Sequence, residues 1–164
     1  MPLIPSDLQP IVLGNPTAKH TITMVTNPYC GPCAKAHIEL EEVLSENPHL
    51  KAQIIFAVCY DSDGRKSKVA RHLLNLTPTP LLLRGAMEAW YAQTTKDYDT
   101  WAAQYPADVS AVPDNAIAAH CEWTKTAHIE GTPTLFVDGY EVPQVYGLKQ
   151  SANLLPHLNE ELTH

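Results

Sequence analysis

The feature that most constrains this chain is a change of rhythm at residues 27–33. His20 to Thr26 alternates imperfectly and is rich in Thr, Ile and Val, which predicts a strand. Asn27-Pro28-Tyr29 breaks that run. Beyond it, Cys33, Ala36, His37, Leu40, Val43 and Leu44 recur at intervals of three and four, the stripe of an amphipathic helix. Pro32 suits the first helical turn, where a missing N–H costs nothing, and Asn47-Pro48 ends the helix. Gln53 to Tyr60, continuously apolar from Ile54 on, reads as a buried central strand. Strand, helix and strand in close succession predict a βαβ unit with parallel strands.

Cys30 and Cys33 stand at the junction of the first strand and the helix, spaced C-x-x-C. Cys30 lies just before the helix, where free N–H groups and the positive dipole end stabilise an anion. A thiolate is the nucleophile in disulfide exchange. Cys33, one turn inside, is more enclosed and is placed to attack a mixed disulfide and release its substrate. Gly31-Pro32 stiffens the turn between them. The cycle uses the two sulfurs alone, with no cofactor. Half of a zinc site is the competing reading. It fails for want of a second close Cys or His pair, since Cys59 and Cys121 are isolated and no H-x₃₋₅-H spacing occurs. A purely structural disulfide would stabilise little by closing so short a loop.

The rest of the chain builds around this unit. Residues 1–10 hold three of the 14 prolines and read as an irregular lead-in or linker. Ile11-Val12-Leu13 is a short apolar run stopped by Gly14-Asn15-Pro16. Residues 65–128 are helical in pattern. Val69, Leu73 and Leu76 mark one face; Leu83, Met87, Trp90 and Tyr91 a second; Tyr98, Trp101, Ala102 and Tyr105 a third. After Pro113, Asp114 is placed to cap a fourth helix through Ile117, Cys121 and Thr124. Strand patterning returns at Thr134-Leu135-Phe136-Val137. Asp138-Gly139 signals a type I′ hairpin, with Tyr140-Glu141-Val142 returning antiparallel. A last helix is expected within 148–162, kinked or started by Pro156. The expected division is a lead-in over 1–10, a core of 11–62 and 129–164, and a helical insertion over 63–128.

Several function classes are excluded. The net charge is −7 with 11 basic residues and no basic run, so neither nucleic acid nor an anionic membrane is expected as partner. The longest apolar run, residues 54–60, is far short of the ~20 residues a membrane span needs, so no direct membrane insertion is expected. The first residues lack the charged and apolar regions of an export signal. A cytoplasmic protein, a mature exported form and a piece of a longer protein all stay open on that ground.

Gly131-Thr132-Pro133-Thr134 stands at the entry to a strand, where proline is tolerated and a cis bond is common by comparison with other residues. Together with Asn27-Pro28-Tyr29-Cys30-Gly31-Pro32-Cys33 and the following Leu-Phe-Val-Asp-Gly, it resembles the thioredoxin superfamily. The helical insertion and Leu13-Gly14-Asn15-Pro16-Thr17-Ala18 look more like the DsbA-like branch. A narrower resemblance is to the thioredoxin-like domain fused to bacterial vitamin K epoxide reductase homologues. It rests on residues 27–37 and on Trp90-Tyr91 with Asp97-Tyr98.

The resemblance implies a thioredoxin-like α/β fold, βαβ plus ββα around a central mixed sheet, with an inserted all-helical subdomain. It implies a thiol–disulfide oxidoreductase that exchanges a Cys30–Cys33 disulfide with the cysteines of protein substrates or a redox partner. Cys30 would attack and Cys33 resolve, with Tyr29, Gly31 and Pro32 forming the active-site turn. Pro133 would be the cis-proline against the disulfide, and Thr132 would offer its backbone to an extended peptide. An extracytoplasmic place and a membrane redox partner are further implications. The chain departs from thioredoxins in two places. Met24 stands where they carry a buried acidic residue, and Tyr29 where tryptophan is usual, so the usual proton acceptor for Cys33 is absent. Two other readings stand beside this one: a redox-relay domain of a larger membrane enzyme, and a non-catalytic peptide-binding or chaperone module.

His37, one helical turn after Cys33, is a candidate for tuning its chemistry; Lys35 reads as a solvated lysine. Cys59 and Cys121 read as unreactive packing thiols. The aromatic residues at 90, 91, 98, 101 and 105 read as core.

Overall fold

The computed structural model describes residues 1–59, 64–113 and 115–143. The helix expected within 148–162, Pro156 and the Asp114 cap lie outside the described residues.

The chain begins with β1 (Ile11–Gly14) and β2 (His20–Thr26), then α1 (Gly31–Glu46) and β3 (Leu50–Phe56). Four helices follow: α2 (Arg65–Leu74), α3 (Pro80–Ala92), α4 (Tyr98–Gln104) and α5 (Ala116–Thr126). The hairpin β4 (Thr134–Val137) and β5 (Tyr140–Val142) completes the described elements. The fold is thioredoxin-like, with one mixed sheet in the order β1-β3-β2-β4-β5. β2 and β3 run parallel, joined through α1 as a βαβ unit requires. The other neighbours are antiparallel.

Alternation along the inner strands sends side chains to two cores. Ile22, Met24, Ile54 and Phe56 face one side with Cys33, Leu40 and Trp90. Val25, Ile55 and Phe136 face the other with Leu8 and Trp123. Two positive-φ turns close the sheet's ends. Gly14 has φ 81°, and a Cβ there would sit 3.0 Å from the Leu50 carbonyl oxygen. Asp138 and Gly139 have φ 50° and 88°, the backbone of the expected tight hairpin. Asp138 also accepts from the Thr21 amide at 2.8 Å and contacts the His20 ring at 2.7 Å.

Residues 1–10 form neither helix nor strand, and they are docked. Leu8 is fully buried. His120 of α5 clamps this segment to the sheet: its Nδ1 accepts from the Phe56 amide at 3.0 Å, so its Nε2–H donates to the Leu8 carbonyl at 3.0 Å. Burial lowers the His120 pKa to about 4, keeping it neutral.

Two sequence expectations are corrected. Cys59 and Cys121 are not packing thiols: they form a disulfide, with Cα atoms 5.0 Å apart across 62 positions. Cys59 follows β3 and Cys121 lies on α5, and the packing of α5 beside β3 brings them together. The buried face of α5 is Ala116, His120, Trp123 and Thr124, while Ile117 and Cys121 are only partly covered.

Candidate active site

Cys30 is the N-cap of α1, with extended backbone (φ −100°, ψ 119°). A side chain there meets the amides that the first helical turn leaves without partners. Its sulfur accepts from the Cys33 amide at 3.3 Å. Asn27 prepares the turn: its side-chain oxygen accepts from the Tyr29 amide at 2.9 Å, and its carbonyl accepts from the Cys30 amide at 3.2 Å. Gly31 and Pro32 are exposed, and open space surrounds Gly31 where a side chain would stand.

Tertiary folding adds the second half of the site. The Thr132–Pro133 peptide is cis. The Thr132 carbonyl lies 3.5 Å from the Cys30 sulfur and accepts from its thiol, although the two residues are 102 positions apart. Thr132 thus brings a carbonyl acceptor to the Cys30 sulfur from a distant part of the chain.

The two cysteines occupy unlike environments. Both are free thiols in this structure, Cys30 half-buried and Cys33 fully buried. Burial is the main force pushing the Cys33 thiol up to about 11, and its contact with Cys30 adds to that. The Thr26 hydroxyl, the Asn27 backbone and Thr132 act in the opposite direction. Cys33 therefore holds its proton until something stabilises its anion.

The helices between β3 and β4 press on the turn that leads into α1. The Trp90 indole N–H donates to the Pro28 carbonyl at 2.7 Å, and its ring meets Tyr29 edge-on at 5.4 Å. The Arg65 guanidinium lies 4.5 Å from the Tyr29 ring centre. Trp90, Tyr91 and Trp101 are buried as core. Tyr98 is partly exposed and, with Tyr29, Arg65, Lys68 and Lys96, lines a cavity of about 470 Å³. A second cavity of about 400 Å³ lies beside Thr132 and is bordered by Asn27, Cys59, Lys66, Lys125 and His128.

His37 is buried against the Tyr91 ring, centres 5.3 Å apart, and its Nε2 has no hydrogen-bond partner among the described residues. Burial lowers its pKa. Lys35 is exposed. Sequence reasoning missed the Asn27 turn, the Trp90 anchor and Thr26. An Asn-Pro before a helix was the one visible signal for the first. Among the described residues no three His, Cys, Asp or Glu side chains are grouped as a metal would need.

The comparisons agree with this architecture. The chain belongs to the thioredoxin family: the family described as Thioredoxin matches residues 6–155. Proteus mirabilis ScsC in a compact conformation is similar in structure, with a TM-score of 0.75 and 14% identity over 95% of this chain and 74% of that one. A periplasmic thioredoxin-like protein from Salmonella enterica serovar Typhimurium has a TM-score of 0.70 and 17% identity over 98% and 94%. MdbA, a thiol-disulfide oxidoreductase from Actinomyces oris, has a TM-score of 0.66 and 16% identity over 88% and 82%. At such identities the likeness is one of fold. No curated protein matches the chain.

Proposed function

We propose that this protein is a thiol–disulfide oxidoreductase acting on protein cysteines through Cys30 and Cys33. The observation that carries the reading is the position of the Cys30 sulfur, held between the Cys33 amide and the Thr132 carbonyl. Cys30, partly exposed, is the attacking sulfur. Cys33, buried behind it, resolves the mixed disulfide. Thr132, whose carbonyl is 3.5 Å from the sulfur, offers its main chain to an extended substrate segment, with Pro133 following it in the chain. Tyr29, Gly31 and Pro32 hold the turn. The described residues of 11–62 and 129–164 form the redox core, and those of 63–128 the DsbA-like insertion that buttresses it through Trp90.

A place outside the cytoplasm fits the Cys59–Cys121 disulfide, because such bonds persist in oxidising compartments. The Salmonella protein of similar fold is itself described as periplasmic. No helix among the described residues is long and apolar enough to cross a membrane. A membrane partner that resets the pair would therefore be a separate protein or a part outside these residues.

The test is a trapping experiment. Cys33→Ala should accumulate a mixed disulfide with a cysteine-containing peptide, and Cys30→Ser should form none. Undiminished exchange by Cys30→Ser would end the reading.

A further inference from the structure

The 11 Lys and Arg residues are scattered along a chain of net charge −7, in no run. Folding gathers five of them, from three separate stretches, beside the active-site turn. Arg65, Lys68 and Lys96 border the cavity of about 470 Å³ that includes Tyr29, the residue before Cys30. Lys66 and Lys125 border the cavity of about 400 Å³ that includes Thr132, whose carbonyl meets the Cys30 sulfur. Among the described residues lining both cavities, Glu130 is the one carboxylate, although the chain has 18.

These cations differ in what holds them. Lys96 donates to the carbonyls of Trp90 at 2.9 Å and Gln93 at 2.8 Å, where α3 ends. Arg65 lies on the Tyr29 ring. Lys68 is exposed, 4.3 Å from the Tyr98 ring centre, and Lys125 is exposed on α5. Among the described residues neither Lys68 nor Lys125 has a carboxylate within ion-pair distance. A ring face attracts a cation without neutralising it. Lys68 and Lys125 therefore present their charge to whatever enters the two cavities. The net charge of the whole chain opposes an anion only weakly there, because charges beyond a Debye length of about 8 Å are largely screened at physiological salt.

We propose that the surface beside Cys30 selects polypeptide substrates that carry acidic residues close to the reacting cysteine, with Lys68 receiving a carboxylate at the Tyr29 cavity and Lys125 one at the Thr132 cavity. This rests on the oxidoreductase reading, which places the substrate cysteine at Cys30 and its main chain along Thr132. An extended segment advances about 3.3 Å per residue, so side chains two or three positions from that cysteine lie within roughly 10 Å of it. Charges so placed govern encounter and register more than tightness.

The test is reduction of two peptide disulfides by the reduced protein, the peptides alike except that Asp or Lys flanks the cysteine. Each rate is divided by that of the same peptide with dithiothreitol, which removes the peptide's own reactivity. The acidic peptide should be preferred about tenfold at low salt, as two exposed charge pairs allow, and the preference should shrink towards unity near ~1 M salt, where the Debye length is about 3 Å. Lys68→Glu and Lys125→Glu should each lower the preference about fivefold. Lys19→Glu makes the same change in net charge at the other end of β2 and should leave the preference as it is. A second readout needs no exchange: the acidic peptide with Ser in place of Cys should move the amide resonances of Lys68 and Lys125, and the basic one should not. No preference in the parent at low salt, or a preference unmoved by both Lys68→Glu and Lys125→Glu, would overturn the inference. Equal resonance shifts from acetate at matched charge would mark a site for any anion and overturn the substrate assignment. Failure to reduce either peptide, with the resonance shifts as expected, would instead overturn the oxidoreductase reading.

Discussion

Removing the Cys59–Cys121 disulfide tests how the helical insertion is held to the sheet. The bond joins the residue stretch leaving β3 to the helix that leads back to β4. It closes a loop of 62 residues, nearly the whole insertion. Cross-linking the unfolded chain over such a length removes about 14 cal/mol/K of its entropy, which stabilises the fold by about 4 kcal/mol at 25 °C. Short-loop bonds contribute less, and a Cys30–Cys33 bond is of that kind. The assay is urea unfolding of Cys59→Ala/Cys121→Ala, followed by tryptophan fluorescence and by far-ultraviolet circular dichroism. With a slope of about 2 kcal/mol/M, the midpoint should fall by roughly 2 M. A reductant should lower the parent's midpoint by a comparable amount and shift the double variant, which keeps only Cys30 and Cys33, far less. Trp123 on α5 and Trp90 on α3 report from opposite sides of the sheet, so both signals should move together. A double variant within about 1 kcal/mol of the parent would refute the reasoning, because the loop-closure contribution would then be absent.

Two further outcomes follow from the lead-in clamp. His120 is depressed to about 4 by burial, below its ordinary 6.5. Between those values the unfolded chain binds the proton more readily, so stability should fall by up to about 3 kcal/mol as pH drops from 6.5 towards 4; a His120 ring resonance titrating near 6.5 in the folded protein would contradict this. Leu8→Ala should destabilise by about 2–5 kcal/mol in urea unfolding, as for a fully buried leucine, and a cost below about 1 kcal/mol would mean that residues 1–10 are not part of the folded core.

Much of the site was legible because its chemistry is local. The Cys30 cap depends on the amides of its own helix, Pro32 on the first turn, and Asp138-Gly139 on a two-residue backbone conformation. The stripe of α1 and the apolar run of β3 depend on periodicity within one element. Thr132-Pro133 became readable only through family resemblance, since its contact with Cys30 spans the chain.

The sequence by itself determined the βαβ unit, the placement of two sulfurs at a helix start and the absence of an acid at position 24. Each of these is settled by near neighbours or by residue identity. Only the tertiary structure decided that Cys59 meets Cys121, that Leu8 is clamped by His120, that Trp90 anchors the turn before α1 and that Thr26 is joined to Tyr91. Those contacts lie between 62 and 112 positions apart. They depend on how helices stack against a sheet, a consequence of total packing that no local pattern encodes.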